Sequence, residues 1–199
     1  MIIIKLGGSL SRSDALVDCL NAVEKNYQGR AVVIVPGGGA FADQVRLAQQ
    51  HWQFDDHTAH RMALLAMQQT ALMLKGLKAD WVIAQNVEAI HAQLNRHNIV
   101  IWSPDSAELD SAGIAASWDI SSDSLAAWLA RALSANELIL VKSAVIDDSL
   151  SLHQLAEQQI VDKAFCGFAE KTAFTTQVIN AQNFVLNTTR PIKGNENGK

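Results

Sequence analysis

Ile2-Ile3-Ile4-Lys5-Leu6 runs straight into Gly7-Gly8-Ser9, and Ala31-Val32-Val33-Ile34-Val35 runs into Pro36-Gly37-Gly38-Gly39. Each is a short, β-branched stretch that stops at a glycine cluster. Apolar runs without alternation suit parallel strands covered on both faces. Between them, from about Asp14 to Asn26, Leu16, Leu20 and Val23 recur at helical spacing. The pattern continues outward. Strands read at Trp81–Ala84, Ile99–Trp102 and Leu138–Val141, with a last short one at Gln177–Asn180. A helix begins near Phe41, and others lie near Val87–Arg96, Asp123–Leu133 and Leu152–Gln159. Strands that keep alternating with helices predict an α/β domain with a mostly parallel central sheet.

The helix from His57 to Leu77 is unusual in its breadth. Met62, Leu65, Ala66, Met67, Leu72, Met73, Leu74 and Leu77 cover most of its circumference, leaving His57, Arg61, Gln68 and Lys75 as a polar stripe. Such a helix must be covered on several sides. Packing under the sheet and contact with a second copy both satisfy that, so a homodimer or higher homo-oligomer is expected. The pair Asp55-Asp56 suits the cap of this helix.

The 199 residues, 49% hydrophobic and 18% charged, have the balance of one globular domain, expected over residues 1–193 with a polar tail over 194–199. A net charge of −4 lacks the basic face that nucleic acid requires, and no apolar run reaches membrane-spanning length. The amino-terminal strand lacks the charged-then-apolar build of a signal peptide. Cys19 and Cys166 are expected as buried free thiols, which fits a cytoplasmic setting.

Chemistry concentrates where strands end, the place at which open α/β sheets bind ligands. Two glycine clusters there can form backbone nests for phosphate. A lone cluster is more readily a tight turn; two of them, with Lys5 in the strand beside one, point to an anion. Lysine seldom enters a strand facing the core without a charged partner. Gly-x-x-x-x-Gly-Lys-Ser/Thr does not occur, which excludes a Walker-type loop, and the dinucleotide pattern Gly-x-Gly-x-x-Gly is also missing. A third cluster, Trp118-Asp119-Ile120-Ser121-Ser122-Asp123-Ser124, precedes a helix. Capping by Ser122 or Asp123 explains one or two of these residues, not two aspartates and three hydroxyls together. A carboxylate here can orient Lys5 and Lys142, the latter ending the strand Leu138–Val141 ahead of Ser143, while the hydroxyls take a phosphate. Two lysines and an organising aspartate suit phosphoryl transfer, which rests on positioning and charge stabilisation.

Ile4–Ser9, Val35–Gly39, Ser121–Ala126 and Val141–Ser143 follow the order seen in the amino-acid kinase superfamily, which the chain resembles over about residues 1–148. That superfamily includes acetylglutamate, uridylate, isopentenyl phosphate and aspartate kinases. The resemblance implies a three-layer αβα sandwich, with ATP and Mg2+ as cofactors and a small anionic substrate as the acceptor. It implies that Lys5 stabilises the transferring phosphoryl group and that Gly7, Gly8 and Ser9 contact the ATP phosphates. Gly37, Gly38 and Gly39 would hold the acceptor, Asp123 would organise the lysines, and Lys142 and Ser143 would sit at the nucleotide. The stretches Trp118–Ala126 and Ala59–Met67 look most like a short branch of kinases in methanofuran biosynthesis and their methylotroph relatives. That branch phosphorylates [5-(aminomethyl)furan-3-yl]methyl phosphate to the diphosphate.

The acceptor is therefore expected to be a phosphomonoester, met by Gly37–Gly39, Ser121, Ser122 and His60, with Asp119 facing the amine. His60 is otherwise an ordinary residue of the polar stripe or the core. Isopentenyl phosphate, UMP and acyl-phosphate-forming chemistry are the alternatives within the superfamily. Two departures bear on the ATP half. Ala144-Val145-Ile146-Asp147-Asp148 lacks the glycine that larger members carry, and their later Gly-Gly-Met-x-x-Lys is missing. Lys163 and Lys171 are the two candidates for that lysine, and a non-catalytic nucleotide- or oxyanion-binding subunit is the reading from another class. Asp147-Asp148 suits a turn or a magnesium contact, and the other five histidines suit solvated surface.

Overall fold

The computed structural model describes residues 1–187. The expected tail over 194–199 lies outside the described residues. In chain order the elements are β1 (Ile2–Leu6), a 3-10 turn (Gly8–Arg12), α1 (Ala15–Asn26), β2 (Val32–Pro36), α2 (Gly39–Trp52), α3 (Asp56–Leu77), β3 (Val82–Ala84) and α4 (Val87–Leu94). Then follow β4 (Ile99–Trp102), α5 (Ser106–Ser111), α6 (Ser122–Ala132), β5 (Glu137–Lys142), α7 (Leu152–Glu157), α8 (Phe165–Ala169), β6 (Thr175–Asn180) and α9 (Ala181–Asn187). The sheet has six strands in the order β3-β4-β2-β1-β5-β6, and every pairing among the described residues is parallel.

Side chains alternate across a strand, so each strand feeds two cores. Ile2, Ile4 and Leu6 join Val32, Ile34, Ile139 and Val141 on the face covered by α1 and α9. Ile3 joins Val33, Val35, Leu138 and Leu140 on the face covered by α6 and α8. This is the expected αβα sandwich. The parity has a chemical consequence. Lys5 follows Ile3, and Lys142 follows Leu138 and Leu140, so both lysines emerge on the α6 side. Lys5 pairs with Leu140 in the register, which sets Lys142 one pleat farther along the neighbouring strand. The chain leaves β1 toward β2 and leaves β5 toward β6, in opposite directions, so a crevice opens between β1 and β5 at their carboxyl ends.

Several boundaries differ from the sequence reading. α2 starts at Gly39 rather than near Phe41, and Ser121, not Ser122 or Asp123, caps α6. The short helices α5 and α8 are invisible to periodicity because five or six residues complete fewer than two turns. Asp55 caps α3 as expected, its carboxylate accepting from Thr58 N at 2.8 Å. Cys19 and Cys166 are buried and free. No helix among the described residues is long and apolar enough to cross a membrane.

Candidate active site

Asp123 stands in the first turn of α6, 3% exposed, between two ammonium groups. Lys5 Nζ lies 2.7 Å from its Oδ1, and Lys142 Nζ lies 2.5 Å from its Oδ2. Oδ1 has no other polar partner among the described residues, whereas Oδ2 also accepts the backbone N–H of Asp162 at 3.2 Å. Burial alone would raise the Asp123 carboxyl, but Lys5 and then Lys142 override it and bring it down to about 2. Burial, reinforced by repulsion from Lys5, lowers Lys142 to about 8, and Asp123 only partly restores it. Two ammoniums thus contact one carboxylate in a secluded place, with the Asp162 carboxylate the next anion in range of Lys142.

The two glycine loops are built against each other. A Cβ on Gly8 would collide with Gly39 N, and one on Gly37 would collide with Gly8 N. Gly39 has φ of +54°, the left-handed region that glycine enters without cost, and α2 starts there. Gly7 N donates to Val141 O at 2.8 Å and Gly37 N to Leu6 O at 2.9 Å, tying both loops to the sheet. Ser9 Oγ and Ser143 Oγ share a hydrogen bond of 2.7 Å that joins the loops after β1 and β5.

Two cavities meet over these loops. The first, about 320 Å3, is lined by Gly8, Gly38 and Gly39 at one end and by Leu64, Met67 and Ile120 along its walls. His60, Ser122 and Asp56 also face it. Burial holds the His60 imidazole below its usual range, with Asp110 opposing and His57 assisting, so it is neutral near pH 7. The second, about 1010 Å3, has Lys5, Asp123 and Lys142 in its floor and residues of the α7–α8 region on its far side. Ser9, Asp43, Arg46, Trp118 and Ser121 belong to both. Arg46 lies over the Trp118 ring with its guanidinium carbon 4.2 Å from the centroid, and Trp118 Nε1 donates to Gln49 Oε1 at 2.6 Å.

The structure thus brings Lys5, Asp123 and Lys142 together and sets Gly8, Ser9, Gly38, Gly39, His60, Ser121 and Ser122 around the smaller cavity. Gly7, Gly37 and Ser143 buttress the loops without lining either cavity. Asp119 faces the larger cavity and pairs with Lys163 at 3.1 Å, away from the walls of the smaller one. Lys163 lines the larger cavity and Lys171 does not. Asp147 accepts from Ser149 N and Oγ at 2.9 and 2.7 Å, closing a turn. His153, read as solvated surface, has Nε2 2.7 Å from Glu170 Oε1. Sequence reasoning missed Asp162 and the Arg46–Trp118 stack. Nothing in Val161-Asp162-Lys163 distinguishes that aspartate from a surface loop residue until the fold brings it to α6.

A parallel αβα sheet with nested glycine loops and a buried lysine–aspartate–lysine cluster at its switch point defines a phosphate-handling α/β protein. The chain belongs to the amino acid kinase family, whose model matches residues 1–144. It is 27% identical over 147 residues to the [5-(aminomethyl)furan-3-yl]methyl phosphate kinase of Methanocaldococcus jannaschii, a match covering 70% of this chain. The match spans 64% of that relative's length. The fold is similar to uridylate kinase from Archaeoglobus fulgidus, with a TM-score of 0.71, 16% identity, and 94% and 95% of the two chains covered. It is also similar to aspartate kinase from Synechocystis, with a TM-score of 0.68, 15% identity, and 92% of this chain against 38% of that one.

Proposed function

We propose that the chain is an ATP-dependent kinase that moves the γ-phosphoryl group of ATP onto a small phosphomonoester, giving a diphosphate. The observation that carries this reading is the Lys5–Asp123–Lys142 cluster at the junction of two cavities. The larger cavity takes ATP and the smaller takes the acceptor. An ionised acceptor oxygen forms the new bond to the γ-phosphorus while the bond to the β,γ-bridging oxygen breaks and ADP leaves. The nucleophile is already deprotonated, so no general base is needed. Lys5 meets charge on the transferring group, Lys142 meets the nucleotide side, and Ser9, which lines both cavities, meets the phosphates between them, while Gly7, Gly8 and Ser143 shape the loops around it. Gly38, Gly39, Ser122 and the neutral His60 line the smaller cavity and orient the acceptor, while Gly37 shapes the loop and Ser121 holds the start of α6 through Asp162.

Magnesium supplies charge neutralisation on the phosphates when bound. Among the described carboxylates lining the larger cavity, Asp123 is engaged by lysines, Asp43 by Arg12, Asp119 by Lys163 and Asp162 by α6, which leaves Glu157 as the side chain that would hold the ion beside ATP oxygens and water.

The acceptor we propose is [5-(aminomethyl)furan-3-yl]methyl phosphate, which places the chain in a methanofuran-type one-carbon cofactor pathway. The similarity to the M. jannaschii kinase supports it, as does a small cavity with apolar walls and an anion-binding end. Asp56 is the carboxylate suited to the amine, since it lines that cavity and makes no ion pair among the described residues, only a 2.8 Å hydrogen bond from Gln49. Asp119 lines the larger cavity, where it pairs with Lys163, rather than the smaller one. The test is ADP release with that furan phosphate, isopentenyl phosphate, UMP, acetylglutamate and aspartate under matched conditions. Preference for either amino-acid substrate overturns the phosphomonoester, and preference for UMP or isopentenyl phosphate overturns the furan alone. Silence with all five points to a non-catalytic member of the fold.

Lys142 works as a cation, and its pKa is lowered to about 8 in the free protein. Activity is present below that value and lost above it, so kcat/KM is expected to fall as pH rises through about 8. A profile still flat at about pH 9.5 would remove Lys142 from the mechanism.

A homodimer or higher homo-oligomer is also proposed. α3 buries Leu64, Met67, Ala71 and Leu74 but leaves Leu65 and Leu72, seven apart on one stripe, 54% and 64% exposed. Trp52 at the end of α2 is 73% exposed. Light scattering at micromolar concentration is expected to give at least twice the chain mass, and a monomer overturns this.

A further inference from the structure

We infer that Asp162 is the positioning residue of the lysine–aspartate–lysine cluster, anchoring the start of α6 through its carboxylate and Asp123 through its own backbone N–H. The kinetic part of this inference rests on the kinase reading above.

Asp162 lies in the turn between α7 and α8 and meets the first turn of α6 with both carboxylate oxygens. Its Oδ2 accepts from Ser121 N at 2.9 Å, Ser121 Oγ at 2.7 Å and Ser124 N at 2.9 Å. Ser124 Oγ donates to its Oδ1. Ser124 is wholly buried, so the donor has no water to fall back on. A carboxylate against the first N–H groups of a helix is also favoured by the helix dipole. The side chain therefore fills the α6 terminus, and Ser121 is already committed before any ligand arrives.

The main chain of the same residue completes the arrangement. Asp162 N donates to Asp123 Oδ2 at 3.2 Å, the oxygen that Lys142 meets at 2.5 Å. With Lys5 on Oδ1, this N–H leaves the Asp123 carboxylate no free rotation. One residue thus fixes both the helix that carries Asp123 and the orientation of its carboxylate. Displacing a catalytic constellation by about 1 Å costs on the order of a hundredfold in rate.

The carboxylate also acts at a distance on Lys142. The charged groups facing that ammonium are Lys5 from β1, Asp123 from α6 and Asp162 from the α7–α8 turn, while β6 offers the neutral Asn180 opposite it. Asp162 is one of the two anions that keep Lys142 protonated.

Asp162→Asn tests both roles. It keeps the shape, removes the charge and turns an N–H toward a point where donors converge. The expected result is a drop in kcat of about tenfold or more, with KM for the acceptor changed less. The alkaline limb should also move to lower pH by roughly half a unit, less than a contact ion pair gives. A lower melting temperature with kcat and the limb unmoved would make Asp162 a helix cap only and overturn the inference. The second readout needs no turnover: the pH dependence of Lys142 acylation, followed by peptide mass spectrometry, should shift by the same amount. If wild-type protein releases no ADP, the kinase reading fails, and the acylation profile still decides Asp162. Should Asp162→Asn not fold, Ser124→Ala removes one donor and keeps the charge. It is expected to lower kcat by about threefold with the limb in place, and an unchanged kcat overturns the positioning role.

Discussion

Lys5→Ala is expected to lower kcat by roughly a hundredfold or more while KM for either substrate moves far less. The ammonium is 4% exposed and lines the larger cavity, so little solvent competes with it, and on the proposed reading it meets the charge that moves onto the transferring group. An interaction that strengthens in the transition state appears in kcat rather than in KM. The substitution also strips Asp123 Oδ1 of its partner. Unfolding curves must therefore accompany the kinetics, so that lost activity is not lost protein. A folded Lys5→Ala protein with unchanged kcat would take Lys5 out of the mechanism.

Asp123→Asn is expected to be as severe, for the opposite reason. On the proposed reading Asp123 transfers no proton, because an acceptor phosphate is already ionised near neutral pH. It holds two like charges side by side. The amide keeps the shape and presents hydrogens to ammonium groups that need an acceptor. Removing one partner from a buried ion cluster costs about 3–5 kcal/mol, so a lower melting temperature should accompany a loss of more than about a hundredfold in kcat. The sign of the pH effect follows from a carboxyl brought down to about 2. Its stabilisation is present above the ordinary carboxylate range and is lost as pH falls toward that value. Near-normal activity in Asp123→Asn would overturn the organising role.

What the sequence revealed depended on how local each signal was. The runs Ile2–Leu6 and Val32–Pro36 declare themselves as buried parallel strands, and a lysine inside the first of them asks for a partner. The order of glycine loops, aspartate and second lysine carried the family. Asp162 is hidden because the partners of its carboxylate, Ser121 and Ser124, lie 41 and 38 positions earlier, and only tertiary packing joins them. The Arg46–Trp118 stack is hidden for the same reason, since its two residues come from α2 and the loop before α6. The helix α3 was legible as too apolar for a free surface, but which of its leucines the fold would cover depends on where α2 lies. Asp119 reads as an acceptor group because it sits in a cluster of polar residues. In the fold it lines the larger cavity and pairs with Lys163.

Gly8, Gly37 and Gly39 bring the loops that follow β1 and β2 together main chain to main chain, with Ser11 Oγ beside them. This bears on how such a protein can diverge. A surface made of main chain offers mutation nothing to trim or enlarge, and any added methyl group collides with backbone. Descendants of one ancestor would therefore inherit the glycine end of the smaller cavity nearly unaltered. Novelty would have to accumulate on its opposite walls, at Leu64, Met67 and the stretch from Ser117 to Ser122, where a change of side chain reshapes the space without touching the loops.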